Sequence, residues 1–438
     1  MGSNKSKISM WRLLFCIYAI VLSCIAGSCS QTLSDDGSIP VLDIEKGIDN
    51  IGYVKLSKYA SEINYLPLET TLDCMMSSDE YVSIVKKGDT FYFYSKFGAP
   101  VFAFDLKGNF LGTVGVSGRA ANEFTRYVIS FAANEEKDEV VICDLVGKLL
   151  KYDSKGKFKS SALIGGEENS QFELKIFNAT ADEYVFLVES YDYENIPEDG
   201  LNEEYGEQYL VTVDSDGKIL NEQFCCNVRG IIQKKSSLRH GATILKSYLY
   251  ETDKKFTLIS NNDTIYSYNP LDRSVVAEYV VKFGKYLLGG SNPSMAQFNQ
   301  SDIFFDTENF IIFSAMFPIS FFKNEYPTYL KSVFVYDKKS GSIKALKLDE
   351  DYGHALLYNG FGNMPGTPAK GFAGFTNDLD GGAPFVPRYI KDGKMYQIMD
   401  AIRFMDLAEK SKSQKMKKAA AGLNEDSNPV LVVVTLKN

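Results

Sequence analysis

Phe102-Ala103-Phe104-Asp105-Leu106-Lys107-Gly108-Asn109-Phe110 decides the fold. Apolar side chains alternate on its first arm, a tight turn follows, and a second arm begins at once, so the stretch reads as a hairpin between two antiparallel strands. Aspartate at the first turn position accepts backbone amides, and glycine supplies the positive φ that closes the turn. Leu150-Lys151-Tyr152-Asp153-Ser154-Lys155-Gly156-Lys157-Phe158 repeats the pattern, and Leu210-Val211-Thr212-Val213-Asp214-Ser215-Asp216-Gly217-Lys218 repeats it again. Val333-Phe334-Val335-Tyr336-Asp337-Lys338-Lys339-Ser340-Gly341 is a fourth copy with one residue inserted, and Ile265-Tyr266-Ser267-Tyr268-Asn269 is a degenerate one. A single hairpin of this kind is commonplace. Several along one chain are a repeat architecture.

A further strand precedes each hairpin: Thr90–Tyr94, Glu139–Asp144, Glu183–Val188, Phe256–Ile259 and Phe310–Phe313. The unit is therefore an antiparallel meander of about four strands, the composition of a propeller blade. The turn residues 105, 153, 214, 269 and 337 stand farther apart than the ~40–50 residues of an ordinary blade, so the later blades carry long loops. A β-sandwich would not repeat one hairpin so regularly, and a TIM barrel is excluded because amphipathic helices do not alternate with these strands. Blades are expected near 80–125, 127–165, 170–226, 240–285, 300–348 and 372–438, giving an all-β, six-bladed propeller over 51–438. Within the last blade, Ile402 to Leu423 reads as a short inserted helix whose lysines form a solvated face. Ser61–Thr70 has no hairpin of its own. An open ring would leave strand edges unpaired, so this N-terminal strand is expected to close the ring beside Val430–Leu436.

The first 28 residues contain Lys5, Lys7 and Arg12, no acid, and the apolar run Leu13–Ile25. This is a charged leader followed by a core too short to span a bilayer comfortably, the pattern of a secretory signal. Ala26-Gly27-Ser28-Cys29 resembles the lipobox of bacterial lipoproteins, in which cleavage leaves a lipid-bearing cysteine; Val21-Leu22-Ser23-Cys24 is a weaker alternative. Residues 29–50 read as a flexible tether, polar and turn-rich at its start. The expectation is an outer-membrane lipoprotein facing the periplasm or the exterior, held to the membrane through Cys29.

Apolar residues make up 45% and charged residues 24% of the 438, which fits a folded domain and excludes a disordered or disulfide-scaffold chain. The formal charge of -9 becomes -12 once Lys5, Lys7 and Arg12 leave, so nothing draws the chain to nucleic acid. Cys74, Cys143, Cys225 and Cys226 form no CxxC pair, which argues against a zinc site, and Cys143 reads as a buried free thiol. With 30 Phe and 27 Tyr but two His, the chain is rich in strand-forming residues and poor in histidine chemistry.

Ile63-Asn64-Tyr65-Leu66-Pro67-Leu68-Glu69-Thr70, Gly115–Phe124, Asn262-Asp263-Thr264-Ile265-Tyr266 and Asn428-Pro429-Val430-Leu431 resemble, in that order, the landmarks of bacterial six-bladed β-propeller lipoproteins related to the NHL-repeat propellers. The resemblance covers essentially all of 50–438. The family's glycine-rich segment reads more like Gly-x-Gly-Pro-Gly-Glu-(Tyr/Phe); here Ala120-Ala121-Asn122 replaces its middle while Gly118, Glu123 and Phe124 remain. The resemblance implies the fold and the address, and no particular activity.

Asn377-Asp378-Leu379-Asp380-Gly381-Gly382 is the most polar cluster in a strand-rich region. Its spaced oxygens suit Ca²⁺, although the bidentate glutamate of an EF-hand loop is missing, and Asn, Asp and Gly also simply make turns. Asn377, Asp378, Asp380, Arg388 and Arg119 are the candidate ligand contacts. The loops 191–206, 284–299 and 352–370 are candidates for a binding rim. No serine nucleophile elbow occurs, and neither His240 nor His354 sits in a motif. The favoured function is non-catalytic binding of a glycan, a peptide or an envelope protein. The alternative is a channel-centred, Ca²⁺-dependent hydrolase or lyase of the lactonase-like type.

Overall fold

The computed structural model describes residues 39–437 apart from 77–81, 96–99, 126–127, 135, 145, 167–175, 179–181, 192–205, 229, 236–238, 245–247, 253–254, 260–262, 287–302, 320–327, 355–356 and 360–369. Six antiparallel sheets of the expected kind follow one another as a six-bladed β-propeller. Blade 1 runs from its inner strand Val82–Lys87 through Thr90–Ser95 and Val101–Asp105 to the outer strand Phe110–Val114. Blades 2 to 5 have inner strands Val128–Asn134, Ile176–Asn178, Tyr248–Thr252 and Phe304–Asp306, and outer strands Phe158–Leu163, Ile219–Val228, Ser274–Lys282 and Ser342–Ala345. Blade 6 combines Tyr389–Lys391, Lys394–Met399 and Val430–Leu436 with Ala60–Pro67 as its outer strand. Ile63 pairs with Val434 and Pro67 with Val430, so the N-terminal strand closes the ring where the sequence places it.

The repeated turn does two jobs. At Asp105, Oδ1 accepts the amides of Lys107 at 2.8 Å and Asn109 at 2.9 Å, and Gly108 donates to the Asp105 carbonyl at 3.0 Å. Asp153 and Asp214 accept in the same way from the residues two and four positions on. The turn glycine also faces the preceding blade: a Cβ on Gly156 would stand 2.4 Å from the Thr113 carbonyl oxygen of blade 1, with φ at +80°. In the degenerate copy, Asn269 accepts the Leu271 amide at 3.0 Å, and Arg273 takes the left-handed position at φ +60°. Arg273 still reaches back to the preceding blade, with its guanidinium 3.5 Å from Glu183.

The aromatic richness is spent between the blades. The described residues form six buried clusters, one at each junction of neighbouring blades. Phe91, Phe93 and Phe104 of blade 1 meet Tyr396 and Leu431 of blade 6, and Tyr92 of blade 1 lies against Phe131 of blade 2 with ring centroids 5.3 Å apart. Cys143 is buried and unpaired at the junction of blades 2 and 3, and burial raises its thiol pKa strongly.

Between Lys394–Met399 and Val430–Leu436 the expected single helix is two. Asp400 caps the helix Ala401–Lys410 by accepting from Ile402 and Arg403, and Ser413 caps a second helix, Gln414–Ala420, by accepting from Met416. Phe404, Leu407, Ala408 and Met416 enter the core between blades 5 and 6, while Lys410, Lys412, Lys415, Lys417 and Lys418 are exposed.

The tether is shorter than the sequence reading allows. Val41–Asp43 adds a fifth, parallel strand to blade 4, pairing Val41 with Val280. The helix Ile44–Asp49 follows, capped by Asp43, and its Gly47 lies so close to Phe334 of blade 5 that a Cβ would stand 2.9 Å from the ring. Gly52 donates to the Ala345 carbonyl at 3.0 Å, and Leu56 to the Thr376 carbonyl at 2.8 Å, before Ala60–Pro67 enters blade 6. Leu42 and Ile44 are wholly buried between blades 4 and 5, which is why this stretch is bound and not loose. A continuous belt thus crosses the outer edges of blades 4, 5 and 6. Asp337, in the turn with the inserted residue, holds the belt through the Tyr59 hydroxyl at 2.7 Å and Lys58 at 2.6 Å. Burial opposes ionisation of Asp337, but Lys58, Ser340 and Tyr59 outweigh it and hold the carboxyl well below the usual range. The segment 1–28 and Cys29 lie outside the described residues.

Two outcomes follow for urea unfolding of the full chain. Gly156→Ala is expected to cost about 2–4 kcal/mol, because positive φ and the Thr113 carbonyl both oppose a Cβ, whereas Gly88→Ala, at φ +52° with open space around it, costs only about 1 kcal/mol. Asp337→Asn is expected to cost about 2 kcal/mol at neutral pH. A depressed folded pKa stabilises the fold above the unfolded value of about 3.9, so the gap between wild type and Asp337→Asn stays constant from pH 6 to 8 and narrows as the pH falls below about 4.

Candidate functional site

Asn377 and Asp380 are brought together, but by the scaffold. Asp380 Oδ1 accepts from Asn377 Nδ2 at 2.7 Å, from the Gly382 amide at 3.0 Å and from the Tyr65 hydroxyl at 3.2 Å, while Oδ2 accepts from Ser413 Oγ at 2.5 Å. The network joins the closing strand, the loop before blade 6 and the cap of the second helix. Burial and the neighbouring Asp380 charge raise the Tyr65 pKa well above its ordinary value, so it acts as a neutral donor. Gly382 is confined: a Cβ there would lie 2.2 Å from the Tyr65 oxygen. Asp378 turns away to the Ser57 amide at 2.9 Å and hydroxyl at 2.6 Å; burial works against its ionisation, yet these bonds keep its pKa low. Both carboxylates are therefore occupied by protein donors. Among the described residues, no group of three or more His, Cys, Asp or Glu side chains is placed to hold a metal ion.

Arg388 is exposed at the entry to the inner strand of blade 6, and Arg119 is exposed in the connection between blades 1 and 2. In that connection, Glu123 folds over Gly118 and accepts the Ala120 amide at 2.8 Å, and Phe124 is wholly buried. Ala120, Ala121 and Asn122 point outward, which explains why that stretch departs from the pattern while Gly118, Glu123 and Phe124 keep it. The proposed rim loops lie outside the described residues over 192–205, 287–299 and 360–369. At the axis, Lys391 of blade 6 meets Glu251 of blade 4 at 3.2 Å, past the intervening blade 5, and Lys86 of blade 1 meets Asp392 at 2.6 Å. The inner hairpins are thereby drawn together at that end of the channel.

A cleft lies elsewhere, at the junction of blades 6 and 1. It encloses about 450 Å³ between Pro67–Thr70, the Lys107–Asn109 turn and the 422–427 loop. Its walls are fixed. Glu69 donates its amide to the Gly108 carbonyl at 2.8 Å and accepts the Phe110 amide on Oε2 at 2.7 Å. Buried Asn428 donates to the carbonyls of Glu69 and Cys74, both at 2.7 Å, and accepts the Met76 amide at 2.8 Å. Asn424 Oδ1 accepts the Asp426 amide at 2.9 Å and the Ser427 hydroxyl at 3.1 Å, shaping the third wall. Sequence reasoning missed this site. Its only signals were the Glu69-Thr70 and Asn428-Pro429 landmarks, which meet here from opposite ends of the chain.

A family model described as "Domain of unknown function (DUF4934)" matches residues 39–435. The chain belongs to that family. The match begins within two residues of the belt, so belt and ring form one family unit. Among solved structures, a Bacteroides fragilis protein assigned as exported is similar at 16% identity, covering 92% of this chain and 100% of that one with a TM-score of 0.53; this likeness is one of fold. A member of the DUF4221 family from Bacteroides vulgatus shares 11% identity over 89% of this chain and 98% of that one, with a TM-score of 0.43. Comparison with curated proteins gives no match.

If the Asp380 network is a scaffold, Asp380→Ala is expected to destabilise the full chain by about 2–3 kcal/mol, since several donors lose their acceptor in a partly buried place. Asp378→Ala, in an exposed position, should cost less than about 1 kcal/mol. Chemical unfolding of both variants gives the comparison.

Proposed function

We propose that this DUF4934 member is an exported lipoprotein of the outer membrane, anchored through Cys29 and related to the NHL-like propellers, whose ring binds a glycan without catalysis. The cleft at the junction of blades 6 and 1 carries this reading. It is polar, open and sized for a small ligand, and it offers hydroxyl, ammonium and carboxylate groups from Thr70, Lys107 and Asp426. A hydroxyl-rich ligand such as a sugar matches that mixture better than an apolar one. Walls held by Asn428 and Glu69 need little ordering on binding, which favours affinity. The address rests on the signal and lipobox pattern, and the exported assignment of the Bacteroides fragilis neighbour agrees with it. Among the described residues, no helix is long and apolar enough to cross a membrane. The Ca²⁺-dependent hydrolase reading draws no support from Asp378 and Asp380, whose carboxylates already serve the scaffold, and the buried, unpartnered Asn377 Oδ1 is a single oxygen where Ca²⁺ takes six or more.

Glycan-array screening of the full chain, followed by calorimetry on the glycans retained, tests the reading. Lys107→Ala with Asp426→Ala is expected to weaken binding by about ten-fold or more while leaving the melting temperature unchanged. Retention of peptides or envelope proteins, with none of the glycans bound, would transfer the site to a protein ligand. A melting temperature raised by Ca²⁺ and lowered by a chelator, together with turnover of a lactone or glycoside, would replace binding by the hydrolase reading.

A further inference from the structure

We propose that the belt edge is the membrane-facing side of the propeller, so that the ring stands on the bilayer by its blade 4–5 edge. This inference rests on the lipoprotein reading of Cys29. From Cys29 to Val41, where the chain joins blade 4, there are twelve residues, a span that cannot exceed about 43 Å in any conformation. A folded chain of this length has a radius of gyration of about 21 Å, which for a solid body means a diameter of about 54 Å, so the far side of the ring lies farther from the entry point than the lipid can reach. The edge opposite the entry point therefore cannot be the one that rests on the bilayer, and the belt edge is held within reach of it.

The side chains on that edge suit a lipid headgroup layer. Val41, Ile51 and Tyr53 are large apolar residues left 46%, 56% and 50% exposed on one short stretch of belt. Lys347 Nζ lies 5.4 Å from the centre of the Tyr53 ring, and the Lys344 side chain lies beside Gly52. Between Val41 and Tyr53 the acids are matched: Asp43 with Lys46 and Lys282, Glu45 and Asp49 with Lys285. Lys344 and Lys347 then add positive charge beside Tyr53. An aromatic ring, branched apolar side chains and lysine ammonium groups are the combination that settles at the boundary between acyl chains and anionic headgroups. Blade 1 stands opposite blade 4 in a ring of six, which turns the cleft at the junction of blades 6 and 1 away from the membrane, toward soluble ligands.

The only tryptophan, Trp11, leaves with the signal, so the mature chain provides a dark background for introduced tryptophans. The full chain, expressed and lipidated in cells, is placed in vesicles of phosphatidylethanolamine and phosphatidylglycerol with brominated acyl chains. Ile51→Trp and Tyr53→Trp are expected to be quenched at least about three-fold more than Leu111→Trp on the outer strand of blade 1, as befits a face seated at the headgroup boundary. Adding Lys344→Glu and Lys347→Glu should reduce the quenching of Ile51→Trp. Equal quenching at all three positions on palmitate-labelled protein overturns the proposal and leaves the lipoprotein reading standing. Palmitate labelling that Cys29→Ala does not abolish, or no labelling at all, overturns the lipid anchor at Cys29 and this proposal with it.

Discussion

The ring depends on one contact repeated between neighbours: the outer turns of blades 1, 2 and 3, each pressed against the end of the outer strand of the blade before it. At Gly108, Gly156 and Gly217 a Cβ would meet the carbonyl oxygens of Pro67, Thr113 and Leu163 at 2.6, 2.4 and 2.6 Å. Aspartate makes the turn tight enough to fit, because its carboxylate gathers two amides that would otherwise splay the loop. Glycine then serves twice, accepting positive φ and leaving room for a neighbouring carbonyl. Gly108 and Gly217 also return a hydrogen bond, accepting the amides of Glu69 and Gly165 from the blade before. Blade-to-blade spacing is thus set by backbone polar groups, and the aromatic clusters fill the wedge that this spacing leaves.

Where the turn departs from Asp-x-x-Gly, another interaction takes its place. Arg273 replaces the blade 4 glycine and reaches Glu183 of blade 3. In blade 5 the inserted residue widens the turn, and Asp337 uses its second oxygen on Tyr59 and Lys58 of the belt. The belt is therefore more than a closing strand. It lies along three consecutive outer edges, covers an edge that would otherwise present unpaired strand groups, and ends as the outer strand of blade 6. Closure by a strand from the opposite terminus joins the two ends of the chain, so loosening the belt at Asp337 and loosening the ring are the same event.

This explains what was legible beforehand. The copies around Asp105, Asp153, Asp214 and Asp337 carry their structure locally, in turn chemistry and alternation, and the blades stand where those residues place them. Ser61–Thr70 was legible by elimination, because a ring needs a partner for Val430–Leu436. The belt's first part was not. Val41–Asp43 is too short for a period to show, and what binds it is the edge at Val280, some 240 residues away in sequence. The inserted segment showed helical composition, but the break at Ser411–Ser413 depends on Ser413 donating to Asp380, a partner that spacing does not reveal. The cluster at Asn377–Gly382 has the residues of a ligand loop, and nothing local distinguishes a carboxylate awaiting a cation from one awaiting Tyr65.

The same distinction locates function. Polar side chains in this ring fall into those whose capacity is used by neighbouring protein groups, such as Asp105, Asn428 and Asp380, and those left facing solvent on a fixed frame. The junction of blades 6 and 1 gathers both kinds. Asn428 uses both side-chain donors and its side-chain oxygen to hold the loop from Glu69 to Met76, and that rigidity presents Thr70, Lys107 and Asp426 around an open space. A propeller must seal this junction because its two ends meet there, so the buried groups that close the ring also set the walls of the cleft. Stability and a preformed recognition surface then come from one set of bonds. Side chains lining that surface can vary without reopening the ring, provided Asn428, Glu69 and the turn at Gly108 stay in place.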